Sequence, residues 1–222
     1  MPNSVYTWRS SHLLLSLLAL VMFHPLALAI PEPWDGRIMN ALTTIVMLTA
    51  VWWTAEHRRH RWMAVLLVSP ASFTQWLRND IGPWAAVAGV VFYLYLIALL
   101  FRRVIRPSTA TIDRVFTAIS VYLLITVTFS YVHLALYDFD PSAYSFATPP
   151  ALDPITDMLY FSFVTILSLG YGDIVPVAPF ARMVTVTEAF VGAFFVAILI
   201  ARLVSLGPQA DLVGDRPEEL DG

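Results

Sequence analysis

Long apolar runs separated by short polar links dominate this chain, and they limit what it can fold into. The runs cover about residues 13–30, 38–55, 62–77, 81–101, 115–137 and 180–205. A helix rises 1.5 Å per residue, so about 20 apolar residues match roughly 30 Å of bilayer hydrocarbon. The runs therefore read as six transmembrane helices of an all-α membrane protein. Composition agrees: 58% of residues are hydrophobic and 13% are charged, where soluble domains carry roughly 25% charged. The chain has no cysteine, which excludes disulfides and thiolate metal sites. A net charge of −3 with no basic block argues against nucleic acid as a partner.

Two runs carry a second reading. Arg9, the run 13–22 and Ala27-Leu28-Ala29 also fit a cleaved secretory signal; a retained span, kinked at His24-Pro25, is the expectation. The run 62–77 is short and interrupted by Pro70, so a re-entrant or interfacial segment is its alternative.

The links orient the spans. "EHRRHR" (56–61) and "RRVIRPSTATIDR" (102–114) are arginine-rich, which places them in the cytoplasm. The acidic link 31–36, the short link 78–80 and the Lys/Arg-free link 138–153 then lie outside, with both termini cytoplasmic. Trp8, Trp34, Trp62, Trp76 and Trp84 fall near run ends, as an interfacial aromatic belt would place them.

Between the fifth and sixth runs, "DPITDMLYFSFVTIL" (153–167) is apolar but too short to cross. Asp153 suits an N-cap and Pro154 the first helical position. The reading is a short re-entrant helix, with "SLGYGD" (168–173) returning the chain outward. Irregular backbone at membrane depth is tolerated only where protein buries it or water reaches it. If the carbonyls of residues 168–171 all face one axis, the backbone must alternate between ordinary and left-handed dihedrals. Gly170 and Gly172 supply the positive-φ positions. Leu169 and Tyr171 would point away and pack against the short helix.

From about residue 115 to 205 the chain resembles the pore of the potassium channel family. The family pattern Thr-x-Gly-Tyr-Gly-Asp reads here Ser168-Leu169-Gly170-Tyr171-Gly172-Asp173, and Thr165 matches a threonine usual before the filter. The resemblance, rather than the spacing, implies that carbonyls of Ser168, Leu169, Gly170 and Tyr171, with Gly172, bind dehydrated K+ in a selectivity filter. It also implies a fourfold homotetramer in the lipid bilayer, K+ as permeant ion with no other cofactor, and no enzymatic activity. The chain departs from the family at Ser168, where threonine is usual, at Leu167, where a second threonine is common, and at Leu169, where valine or isoleucine is common.

Around the filter, Asp173 is expected to concentrate cations and to accept a hydrogen bond from Tyr160, which stands where the family often has tryptophan. Asp138, Asp140, Asp153 and Asp157 could add to an acidic vestibule, though solvated loop charges are the simpler account. Glu188, inside the last run, is expected to brace the filter by bonding to the short helix, or to titrate and modulate gating, with a protonated or locally hydrogen-bonded structural glutamate as the plainer alternative. Gly192 matches the family's hinge glycine and equally suits close helix packing. Val196, Ile200 and Val204 recur at helical spacing and could form a hydrophobic gate; equally, some of them would simply face lipid. His57, His60 and His133 are ambiguous.

The expected organisation is a four-span domain over 1–101, a cytoplasmic linker over 102–114, a pore domain over 115–206 and a short disordered tail over 207–222. The fourth run contains no Arg or Lys, whereas steep voltage gating uses about three to four charges per subunit. The expected function is a passive, potassium-selective channel without strong voltage gating, in a bacterial inner membrane. A weakly selective cation channel and a potassium-transporter subunit are the alternatives.

Overall fold

The computed structural model describes residues 3–28, 34–53, 62, 83–105, 111–148 and 154–205. The expected span 62–77, Asp153, the arginine-rich link 56–61 and the tail 207–222 fall outside these residues, apart from Trp62. Six helices are described: α1 (Asn3–Leu28), α2 (Trp34–Trp53), α3 (Pro83–Ile105), α4 (Thr111–Phe139), α5 (Pro154–Ile166) and α6 (Pro179–Ser205). Three of them, α3, α4 and α6, are long and apolar enough to cross a membrane. Helix α1 begins ten residues before the apolar run that announced it, since its first turns are polar.

Helix α4 is the centre. Helices α1, α3 and α5 all pack on it, α2 packs on α1, and α6 closes against α4 and α5. Two-thirds of the α4 span (67%) is buried, against 39% for α3 and only 11% for α6. Helix α4 carries many hydroxyls that would be costly in hydrocarbon if unpaired. Thr117, Ser120, Thr126, Thr128 and Ser130 each donate to a carbonyl three or four residues earlier in the same helix, at 2.6–3.2 Å. Their polarity is thus absorbed within the helix. Between α1 and α2, the hydroxyls of Ser16 and Thr49 meet at 2.9 Å.

Helix α3 reaches α4 through a ring-under-glycine contact. A Cβ on Gly89 would lie 2.7 Å from the Tyr131 ring, and that ring also packs on Tyr93 at 5.4 Å between centroids. Small residues allow this approach where apolar packing replaces the hydrophobic effect.

A β-pair adds to the all-α expectation. After α4, a 3₁₀ turn (Pro141–Ala143) leads into strand β1 (Tyr144–Phe146). It runs antiparallel to β2 (Ile174–Pro176), with Tyr144 opposite Pro176 and Phe146 opposite Ile174. Asp140 caps the 3₁₀ turn, accepting from Ser142 N at 3.0 Å and from its hydroxyl at 2.6 Å. One of the acidic-vestibule candidates is therefore engaged in the turn.

Candidate functional site: the loop 167–173 and its supports

The loop leaves α5 by folding its first amides back onto the helix. Leu167 N donates to Phe163 O, Ser168 N to Thr165 O, and Leu169 N to Val164 O at 2.9 Å. The helix end is thereby capped by the loop itself. Beyond that point Ser168 (φ 57°), Gly170 (φ 61°) and Gly172 (φ 77°) are left-handed. Every second residue is turned over, so successive carbonyls can be brought to one side. Gly170 and Gly172 hold the dihedrals their lack of a Cβ permits; Ser168 adopts the same region as a non-glycine residue, at a cost of about 1–2 kcal/mol. Residues 167–172 are all exposed. Among the described residues, no carbonyl from Ser168 to Gly172 accepts a hydrogen bond. Leu169 and Tyr171 are half to two-thirds exposed in the single chain, so neither is packed away in the short helix.

The far end of the loop is held twice. The Tyr160 hydroxyl on α5 donates to Asp173 Oδ2 at 2.7 Å, and Ala147 N donates to Asp173 O at 2.8 Å. The hydrogen bond to Asp173 raises the Tyr160 phenol to about 12. Because the folded value lies above the ordinary one, the contribution is complete below about pH 10 and is lost as pH rises through about 12. Removing this exposed bond by Tyr160→Phe should lower stability only slightly, by about 1 kcal/mol or less. Amide exchange at Asp173 and Ile174 should nevertheless accelerate.

Behind the loop, three contacts join α4, α5 and α6. The Tyr122 hydroxyl on α4 donates to Ile166 O, the last carbonyl of α5, at 3.1 Å, and the Tyr122 ring lies 5.8 Å from Phe195 of α6. Gly192 sits against the same residue: a Cβ there would lie 2.5 Å from Ile166 Cγ1 and 3.2 Å from its carbonyl oxygen. Helix α6 runs unbroken through Gly192.

Glu188, fully buried, is bonded to α4. Its Oε2 lies 3.0 Å from His133 Nε2, and His133 Nδ1 lies 2.6 Å from the Tyr144 hydroxyl. Phe161 of α5 meets His133 edge to face at 5.0 Å. Sequence reasoning had Glu188 and His133 separately and missed their pairing, along with Tyr144 and Tyr122. The available signal was weak: two ionisable residues at similar depth on neighbouring apolar runs, each needing a partner.

The family described as "Ion channel" matches residues 121–207. Protein LctB of Bacillus caldotenax is 31% identical over 107 residues, 46% of this chain and 78% of that protein. "Two pore potassium channel c" of Oryza sativa subsp. japonica is 42% identical over 52 residues, 23% of this chain and 11% of that protein. "Voltage-gated potassium channel Kch" of Escherichia coli (strain K12) is 28% identical over 130 residues, 59% of this chain and 27% of that protein. The chain thus spans about a tenth of the rice channel and about a quarter of Kch. No solved structure matches. Two long apolar helices enclosing a short helix and an alternating loop, with this match, define an ion channel. The chain belongs to the ion channel family so described.

Proposed function

We propose that this chain is one subunit of a passive, potassium-selective channel in which four copies surround the loop 168–172. The observation that carries this reading is the loop itself: left-handed at 168, 170 and 172, exposed, and with its carbonyls unused among the described residues. Such a backbone at membrane depth needs partners. A ring of identical loops closed by symmetry supplies protein neighbours, and K+ supplies the partner for the oxygens. The bareness of α6 supports the same arrangement, since Met183, Val186, Phe190 and Phe194 are all exposed in the single chain.

In this reading Ser168, Leu169, Gly170 and Tyr171 present carbonyls to K+, and Gly172 completes the turn to Asp173. Helix α5 is the pore helix, and the negative end of its dipole faces the inner cavity and favours a cation there. Asp173, Tyr160, Thr165 and Glu188 support the filter. Gly192 seats α6 against α5 and is also the weak point at which α6 can bend. Both termini are cytoplasmic, the membrane is a bacterial inner membrane, and voltage dependence is shallow because α3 carries no charge before Arg102.

Purified protein in planar bilayers tests this. Steady currents reversing near the potassium equilibrium potential in a K+/Na+ gradient are expected, from particles whose native mass is four chains. Reversal near zero would instead mean a weakly selective cation channel, and slow saturable flux a transporter.

A further inference from the structure

We propose that Tyr144, His133 and Glu188 form a proton-binding site that adjusts the grip on the filter from the outer side; this rests on the channel reading above. The three side chains make one continuous hydrogen-bonded line from β1 through α4 to α6, with gaps of 2.6 Å and 3.0 Å. His133 and Glu188 are completely buried, and Tyr144 is 4% exposed at the outer end. The remaining carboxyl oxygen, Glu188 Oε1, has no hydrogen-bond partner among the described residues, and neither does the Ser162 hydroxyl of α5. These two groups lie close enough to interact. From α4 the titratable groups facing Glu188 are His133 and Tyr122, and from β1 Tyr144. Helix α5 offers Ser162, which does not titrate.

The line can hold one proton more or one fewer. With the proton present it is neutral overall. Either Glu188 donates Oε2–H to Nε2 while Nδ1–H donates to the Tyr144 oxygen, or His133 carries both ring protons and donates to both neighbours. Proton loss leaves one arrangement: Tyr144 O–H donates to Nδ1, Nε2–H donates to the Glu188 carboxylate, and one negative charge remains buried. The proton leaves at the outer end, where Tyr144 takes the Nδ1 proton and gives up its hydroxyl proton to water. No other reactant is needed.

Proton loss changes what Glu188 demands of its surroundings. An isolated buried carboxylate is costly, so the unused Oε1 recruits a neighbouring donor, the Ser162 hydroxyl. Ser162 lies on the helix that carries the filter loop, and Tyr144 lies in the strand that pairs with the segment just beyond Asp173. One proton therefore alters the hold on α5, and filter behaviour follows the outer pH.

Two measurements decide it. In ¹⁵N-labelled tetramers in nanodiscs, the His133 ring nitrogens should show a single transition across about pH 5 to 10, the range over which histidines and buried carboxyls titrate. Glu188→Gln, which keeps shape and hydrogen bonding, should abolish it; Ser162→Ala should retain it. In bilayers, current should respond to outer-bath pH in the wild type, and that response should be lost in both variants. Ring nitrogens that do not move, or that move unchanged in Glu188→Gln, overturn the proton site. A current response that survives Ser162→Ala overturns the link to the filter. A protein that titrates but never conducts refutes the channel reading and leaves the proton site standing.

Discussion

Gly172→Ala is expected to leave the complex assembled and to end conduction. The added methyl meets nothing within 4 Å in its own chain, so crowding within the chain is not the cause. The cause is the backbone: at φ 77° an L-residue bears about 1–2 kcal/mol that glycine does not. In the proposed tetramer four subunits bear it together at one axis, and the chain relieves it by rotating the adjoining peptides. In the proposed filter that rotation takes a carbonyl away from the ion. An energy of about 1.4 kcal/mol is tenfold in an equilibrium, so even partial relief in each of four subunits leaves few filters intact. Gly170→Ala, at φ 61°, should behave alike. Single-channel recording beside native mass measurement checks both points, and wild-type-like currents from either variant would remove the filter assignment.

The second large effect is at Gly192, where two energies of opposite sign compete. Alanine in a helix interior gains about 1 kcal/mol over glycine. Here the new Cβ would sit 2.5 Å from Ile166 Cγ1, a branch atom close to the backbone, and 3.2 Å from a carbonyl. Overpacking of this kind costs about 1–3 kcal/mol, and the carbonyl is already fixed by Tyr122. The clash wins. Gly192→Ala should lower thermal stability by up to about 2 kcal/mol per subunit, and Gly192→Val by more. A thermal midpoint equal to or above wild type would show that α6 moves aside freely.

How much of this was legible in the sequence depended on the physics behind each feature. Spans α3, α4 and α6 were readable to within a few residues, because apolar length is a bulk property matched to bilayer thickness. The short helix α5 was readable because Pro154 marks its start and its length forbids crossing. The Tyr160–Asp173 bond could be expected from the resemblance. Strands β1 and β2 could not, being three residues each and separated by α5, with no local turn to pair them. Left-handed Ser168 was missed because only glycine advertises that conformation. The His133–Glu188 pair joins residues 55 apart, a distance that pattern reading along the chain does not reach.

The serine at 168 bears on how this pore could be altered. Position 168 is left-handed here, a region where a β-branched residue is a true outlier. Serine, with a single substituent on its Cβ, keeps a hydroxyl in place at less steric expense than threonine would. Exchanging this residue for the family's usual threonine, in a graft or a consensus redesign, would place a second Cβ substituent at a left-handed position.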